Sequence, residues 1–111
     1  MEKSPPEQRV ARDARHGTIQ PVHFIYIVRC ADGTLYTGYA RDPAAREKVH
    51  NDGRGARYTR SRRPVALVYA EACGSRSEAL KREHHLKRWT RSRKESLIAS
   101  STAYRIPLSP N

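Results

Sequence analysis

The stretch from Phe24 to Gly38, F-I-Y-I-V-R-C-A-D-G-T-L-Y-T-G, limits what this chain can fold into more than any other. Residues 23 to 30 are almost all apolar, aromatic or β-branched, a composition that suits a strand buried on both faces. Asp32 and Gly33 then supply a turn that tolerates positive φ, so the segment reads as a β-hairpin. It carries two tyrosines, Tyr26 and Tyr36, which are either core aromatics of a small sheet or members of a site.

Past the hairpin, Asp42 is placed to cap a short helix, Pro43 takes its first position and Gly53 follows its end. Arg46 and His50 lie four residues apart on one stripe of that helix, while Ala45 and Val49 form an adjacent stripe expected to pack inward. The Arg-His pair is thus expected at the edge of the core, as an ordinary solvated pair or as one wall of a cleft. Pro64 leads into V-A-L-V-Y-A, a third strand over 65–70 with Val65, Leu67 and Tyr69 expected on one face.

Ser75 and Glu78 can form a capping box that starts a helix running to about Trp89. With Ala79 at zero and about 100° per residue, Leu86 falls near −20° and Glu83 near 40°, inside the sparse apolar stripe. A carboxylate aimed at a core needs a partner or a metal. Lys87, near 80° on this scale, is a candidate ion-pair partner, and a metal is the other reading. A last helix over about Ser92 to Ile98, with Ser92 and Glu95 as a second capping box, folds Leu97 and Ile98 back onto the core. The fold class is therefore α+β, a small three-stranded antiparallel sheet flanked by helices in the order β-β-α-β-α-α. Residues 1–22 and 101–111, rich in polar residues and proline, read as a flexible leader and a flexible tail around a domain over 23–100.

Charge narrows the partner. Lys and Arg number 22 against 11 Asp and Glu, a net charge of +11, and the excess is clustered. Residues 54–63 hold Arg54, Arg57, Arg60, Arg62 and Arg63 around Tyr58 with no acid, a composition suited to phosphates plus a base or sugar contact. Seven of the fourteen residues from Lys81 to Lys94 are basic, among them Lys81, Lys87, Arg88 and Arg91. A polyanion is the expected partner, nucleic acid ahead of a membrane, because no amphipathic helix has a broad apolar face. Cys30 and Cys73 lack the spacing of a zinc or redox motif and read as reduced thiols. With no transmembrane run and no signal peptide, a cytoplasmic protein is expected.

The order of these features resembles the GIY-YIG endonuclease superfamily, and within it the small stand-alone bacterial branch of URI-domain proteins. F-I-Y at 24–26 stands where the family has G-I-Y, Y-T-G at 36–38 stands for Y-I-G, and D-P-A-A-R-E-K-V-H-N is similar to the family's helix of Asp, Arg and His. The runs G-A-R-Y-T, R-R-P-V-A-L-V-Y and S-R-S-E-A-L-K-R-E extend the likeness over residues 23 to about 99. The sequence departs from the family at Phe24, which replaces the first glycine, and at Tyr39, where many relatives have lysine. A family asparagine beyond the glutamate has no clear counterpart.

The resemblance implies catalytic roles for Tyr26, Tyr36, Arg46, His50 and Glu83, with Glu83 as the metal ligand for Mg²⁺ or Mn²⁺ and no small-molecule cofactor. It implies an endonuclease acting on DNA, single-stranded or branched forms included, in which Tyr36 or His50 activates water, Arg46 neutralises phosphate charge and Tyr26 fixes the phosphate or the water. Two alternatives share the charge pattern: a non-catalytic nucleic-acid-binding module with the same fold, and an RNA-processing protein. For both tyrosines to serve one site they must share a sheet face. A two-residue turn at Asp32-Gly33 would set Tyr26 against Tyr39, with Tyr36 on the other face. A three-residue loop, Ala31 to Gly33, sets Tyr36 against Val28 and the two tyrosines on one face, so a bulged turn at Gly33 is predicted.

Overall fold

The structure is a computed structural model that describes residues 22–101. The leader and tail expected at the two ends lie, apart from Val22 and Ser101, outside the described residues. Strand β1 (His23–Arg29) is the centre of a three-stranded antiparallel sheet, between β2 (Leu35–Ala40) and β3 (Ala66–Cys73). That central place explains its sequence, since Ile25, Tyr26, Ile27 and Val28 are all buried and alternate between two cores.

The hairpin takes the odd register. Val28 pairs with Tyr36 and Tyr26 with Gly38, so both tyrosines face the same side. The Cys30 N–H donates to the Thr34 carbonyl at 2.8 Å, which closes the loop Ala31 to Gly33. Gly33 sits at φ 87°, the left-handed conformation that the bulged turn requires and that a side chain disfavours. Asp32 braces the loop by accepting from the Thr34 backbone and hydroxyl at 3.0 and 2.6 Å.

Helix α1 (Pro43–Asn51) covers the face bearing Tyr26, Val28 and Ala70, and its cap is the expected one: the Ala45 N–H donates to the Asp42 carboxylate at 3.1 Å. Its inward stripe differs from the expected one. Ala45 is exposed and Val49 half-buried, while Pro43 and His50 are the buried residues. Polar contacts set that rotation: Glu47 accepts from the Leu67 N–H at 2.7 Å, and the Asn51 side chain pairs with the Val65 backbone at 2.9 and 2.7 Å. Hydrogen bonds to the outer edge of β3 and the residue before it outweigh the small gain from burying an alanine methyl.

Within the basic stretch, Arg57–Arg60 forms a single helical turn, α2, which sequence reading takes as loop. In β3 the register shifts between Ile27 and Val28, where Ile27 faces Tyr69 but Val28 faces Leu67. This bulge at Val68 turns Tyr69 to the opposite face from Leu67, against the expected single face.

Helix α3 (Arg76–Lys87) starts at the expected Ser75, whose hydroxyl accepts from the Glu78 N–H at 3.1 Å. The Glu78 carboxylate reaches back to Gly74. The second expected capping box is displaced: Thr90 caps α4 (Arg91–Ser100), and Glu95 instead takes both guanidinium nitrogens of Arg29, at 2.7 and 2.9 Å. Both helices cover the second face, Ala79 and Leu86 fully, with Leu97 and Ile98 docked beside them. Leu80 lies outside this stripe and is exposed. Cys30 is buried, Cys73 half-buried, and both are free thiols.

Candidate active site

The first-face core does not end in aliphatic packing but in a line of polar groups. Tyr26 and His50 are 1% and 0% exposed, and the phenol oxygen lies 2.8 Å from His50 Nε2. On the other side of the ring, His50 Nδ1 lies 2.8 Å from the Thr59 hydroxyl, which itself donates to the Ala56 carbonyl at 3.0 Å. Thr59 has one proton and spends it on Ala56, so His50 carries its proton on Nδ1 and donates it to Thr59. Nε2 is then the acceptor, and the Tyr26 O–H donates to it. Burial, with the charge of Arg46, holds His50 below the ordinary imidazole range, so the neutral ring that this line requires is the favoured form.

Two glycines make room for these rings. A Cβ on Gly38, opposite Tyr26, would stand 2.5 Å from the phenol oxygen, and one on Gly55 would collide with the His50 ring. The glycine of Y-T-G thus has a packing reason independent of turn geometry.

The other expected site residues gather around the phenol. Burial pushes Tyr26 up to about 12, opposed by its hydrogen-bonding interaction with Arg46, with weaker contributions from Tyr36 and Glu83. Tyr36 packs edge-on to His50, ring centres 5.5 Å apart, and stacks on Tyr58 at 5.8 Å. Helix α3 lies over the second face, but Lys87 reaches the Tyr36 ring and the Glu83 charge acts on Tyr26. Lys87 pairs with Glu83 at 3.4 Å, the ion-pair alternative to a metal at this carboxylate, and its ammonium also lies 5.4 Å from the Tyr36 ring centre. Glu83 keeps 19% of its side chain exposed. The structure therefore brings Tyr26, Tyr36, Arg46, His50 and Glu83 into one neighbourhood, with Glu83 partly exposed.

No cluster of three or more His, Cys, Asp or Glu side chains that could hold a metal is present among the described residues. One partly exposed carboxylate fits a hydrated hard cation that draws its other ligands from water and substrate phosphate. It does not suit a metal enclosed entirely by protein ligands.

The basic residues divide. Arg57 and Arg60 on α2 and Lys81 and Arg88 near α3 are exposed. Arg54 pairs with Asp52 at 2.9 Å. Arg62 bonds Asp32 and the Tyr58 carbonyl while its guanidinium lies 3.9 Å from the Tyr58 ring centre, so Tyr58 contacts both Tyr36 and Arg62 and still keeps 39% of its surface exposed. Arg63 donates to the Arg60 and Asn51 carbonyls at 2.8 and 3.3 Å, tying the basic stretch to α1. Lys81 lies about 200° around α3 from Glu83, on the far side of the helix. Tyr39 packs with the second core and is bonded to His23 Nδ1 at 2.8 Å.

Thr59 and Lys94 are absent from the sequence-derived site. Thr59 has no signal in a polar run, and Lys94, only 8% exposed, is indistinguishable there from its solvated neighbours.

A sheet with paired tyrosines on one face, against a helix bearing Arg and His, defines a GIY-YIG-type domain. The model of the GIY-YIG catalytic domain matches residues 22–96, and the chain belongs to that family. It is 59% identical over 76 residues, 68% of this chain and 93% of the relative, to a UPF0213 protein of Staphylococcus aureus strain Mu3. It is also similar to the solution NMR structure of an E. faecalis protein, with TM-score 0.50 and 38% identity over 79% of this chain and 94% of that one. Among the described residues no helix is long and apolar enough to cross a membrane.

Proposed function

We propose that this chain is a metal-dependent endonuclease that hydrolyses DNA phosphodiester bonds, working in the cytoplasm. The observation that carries the reading is the sealed hydrogen bond from the Tyr26 phenol to neutral His50 Nε2, set beside Arg46. His50 has no exposed surface and both ring nitrogens are engaged, so it reaches water only through Tyr26.

The attacking water gives its proton to the Tyr26 oxygen as the phenol proton passes to His50 Nε2, and the water oxygen forms the new bond to phosphorus while the bond from phosphorus to the leaving sugar oxygen breaks and that oxygen takes a proton from solvent. This relay spares Tyr26 from ionising, which burial makes difficult. The cationic imidazole so formed keeps its Nδ1 bond to Thr59. Arg46 neutralises charge growing on the non-bridging oxygens, and Tyr36, at the rim, orients the phosphate. Glu83 would hold a Mg²⁺ or Mn²⁺ ion, which when bound supplies charge neutralisation at the phosphate and leaving oxygen.

The test is incubation of the purified protein with single-stranded, duplex and branched DNA and with RNA, in Mg²⁺, Mn²⁺ or chelator, beside Glu83→Gln. Cleavage of DNA that needs metal and is lost in Glu83→Gln, with binding in chelator retained, is the expected result. Binding without cleavage in every condition would make the chain a binding module, and turnover of RNA alone would make it an RNA-processing enzyme.

A further inference from the structure

Lys94 is a buried cation with no countercharge. It is 8% exposed, and no acid or hydrogen-bond acceptor among the described residues pairs with its ammonium. Two acids of the surrounding segments are already committed, Glu95 to Arg29 and Arg91 and Asp32 to Arg62. Its ammonium is not one of the sealed polar atoms without a partner, which are Thr37 Oγ1 and Trp89 Nε1, so the tip keeps access to solvent. That access is a recess of about 220 Å³ lined by Thr34, Leu35, Tyr58, Arg91 and Lys94. Tyr58 forms its wall toward the proposed active site, because the same ring stacks on Tyr36.

We propose that this recess is a second phosphate subsite, in which Lys94 and Arg91 receive a nucleic-acid phosphate neighbouring the one cut beside Tyr36. The proposal rests on the nuclease reading for its substrate and goes beyond it in assigning a residue and a place. An ammonium on a side chain only 8% exposed, reaching solvent through a narrow recess and lacking a countercharge, is weakly compensated, and burial together with the charge of Lys87 disfavours its protonated form. A phosphate entering the recess supplies the missing countercharge. Two cations beside the neutral wall of Tyr58 suit the backbone of a polyanion and offer no pattern that reads a base. The recess is too small for much more than a phosphate and part of its sugar.

The experiment is equilibrium binding of a fluorescein-labelled 20-mer, single-stranded and duplex, to the full chain in chelator over a range of salt. Wild type, Lys94→Met and Lys94→Arg are compared, each with its thermal midpoint. Lys94→Met is expected to flatten the plot of log affinity against log salt by about one unit, the loss of one phosphate contact, while its midpoint is unchanged or raised. Lys94→Arg is expected to keep the wild-type slope. An unchanged slope in Lys94→Met overturns the subsite, and a lowered midpoint with unchanged slope makes Lys94 a structural prop. If Lys94→Met does not fold, Lys94→Gln is read by the same slope. Because nothing need be cut, a wild type without turnover overturns the nuclease reading and leaves this comparison standing.

Discussion

The Tyr26 phenol and the His50 imidazole meet at 2.8 Å in the interior of the domain, joining the central strand to the first helix through a hydrogen bond hidden from solvent. Elsewhere α1 is tied to the third strand and the residue before it by the hydrogen bonds of Glu47 and Asn51. A buried polar pair with a third member, Thr59, behind it is held by geometry on both sides, which fixes the tautomer as well as the position.

Removing the phenol oxygen tests both sides of that bond. Tyr26→Phe is expected to reduce turnover by about 10² to 10⁴-fold, the usual scale for losing a proton-transfer group. It also leaves Nε2 without a partner, at a cost of about 1–3 kcal/mol. Single-turnover cleavage and thermal melting measure the two effects separately, and turnover within about threefold of wild type would remove Tyr26 from the proton path.

The same pair predicts how stability follows pH. His50 is depressed in the fold, so the unfolded chain binds its proton first as pH falls below about 6.5. Stability from this group is complete above that pH and declines below it, until the folded pKa is passed. Tyr26 is raised to about 12, so its contribution is complete below about 10 and declines as pH climbs from there toward 12. Denaturant titrations across pH should show the acid-side decline in wild type and a shallower one in His50→Gln.

Gly38→Ala alters no functional group, yet its Cβ would stand 2.5 Å from the Tyr26 oxygen. The phenol must then shift off His50. We expect loss of turnover approaching that of Tyr26→Phe, on the order of 10²-fold for a displacement near 1 Å. Normal cleavage by a folded Gly38→Ala protein would show that the phenol's position is not critical.

Arginines of the same stretch are expected to separate by experiment. Neutralising Arg57 and Arg60 together should flatten the salt dependence of DNA binding by up to about two units, alike for all sequences. Arg63→Ala should instead lower the thermal midpoint with little change in slope, because its guanidinium is spent on the Arg60 and Asn51 carbonyls. The reverse pattern would exchange the roles assigned to these residues.

Much of the fold is legible from the chain alone because it rests on local rules. A run of β-branched and aromatic residues marks β1, Asp42 and Ser75 mark two helix starts, and the demand that two tyrosines share a face selects the bulged turn at Gly33. Capping fails as a guide at α4, where Thr90 and Ser92 are both competent and the contact of Glu95 with Arg29, 66 residues away, decides between them. The bulge at Val68 leaves no mark in a strand whose every position tolerates either face.

Of the candidate site, spacing marks Glu83 as an inward carboxylate and Arg46 and His50 as one stripe, while it is the resemblance to the GIY-YIG family that singles out Tyr26, Tyr36, Arg46, His50 and Glu83 together. Depth is not visible in this way. Whether His50 stands at a rim or is sealed behind Tyr26 depends on how α1 rotates against the sheet, and that rotation is set by Glu47 and Asn51 bonding β3 and the residue before it. Thr59 and Lys94 gain their places from packing between segments distant in sequence. Periodicity records which way a side chain leaves its own backbone, and only the tertiary structure decides what it meets there.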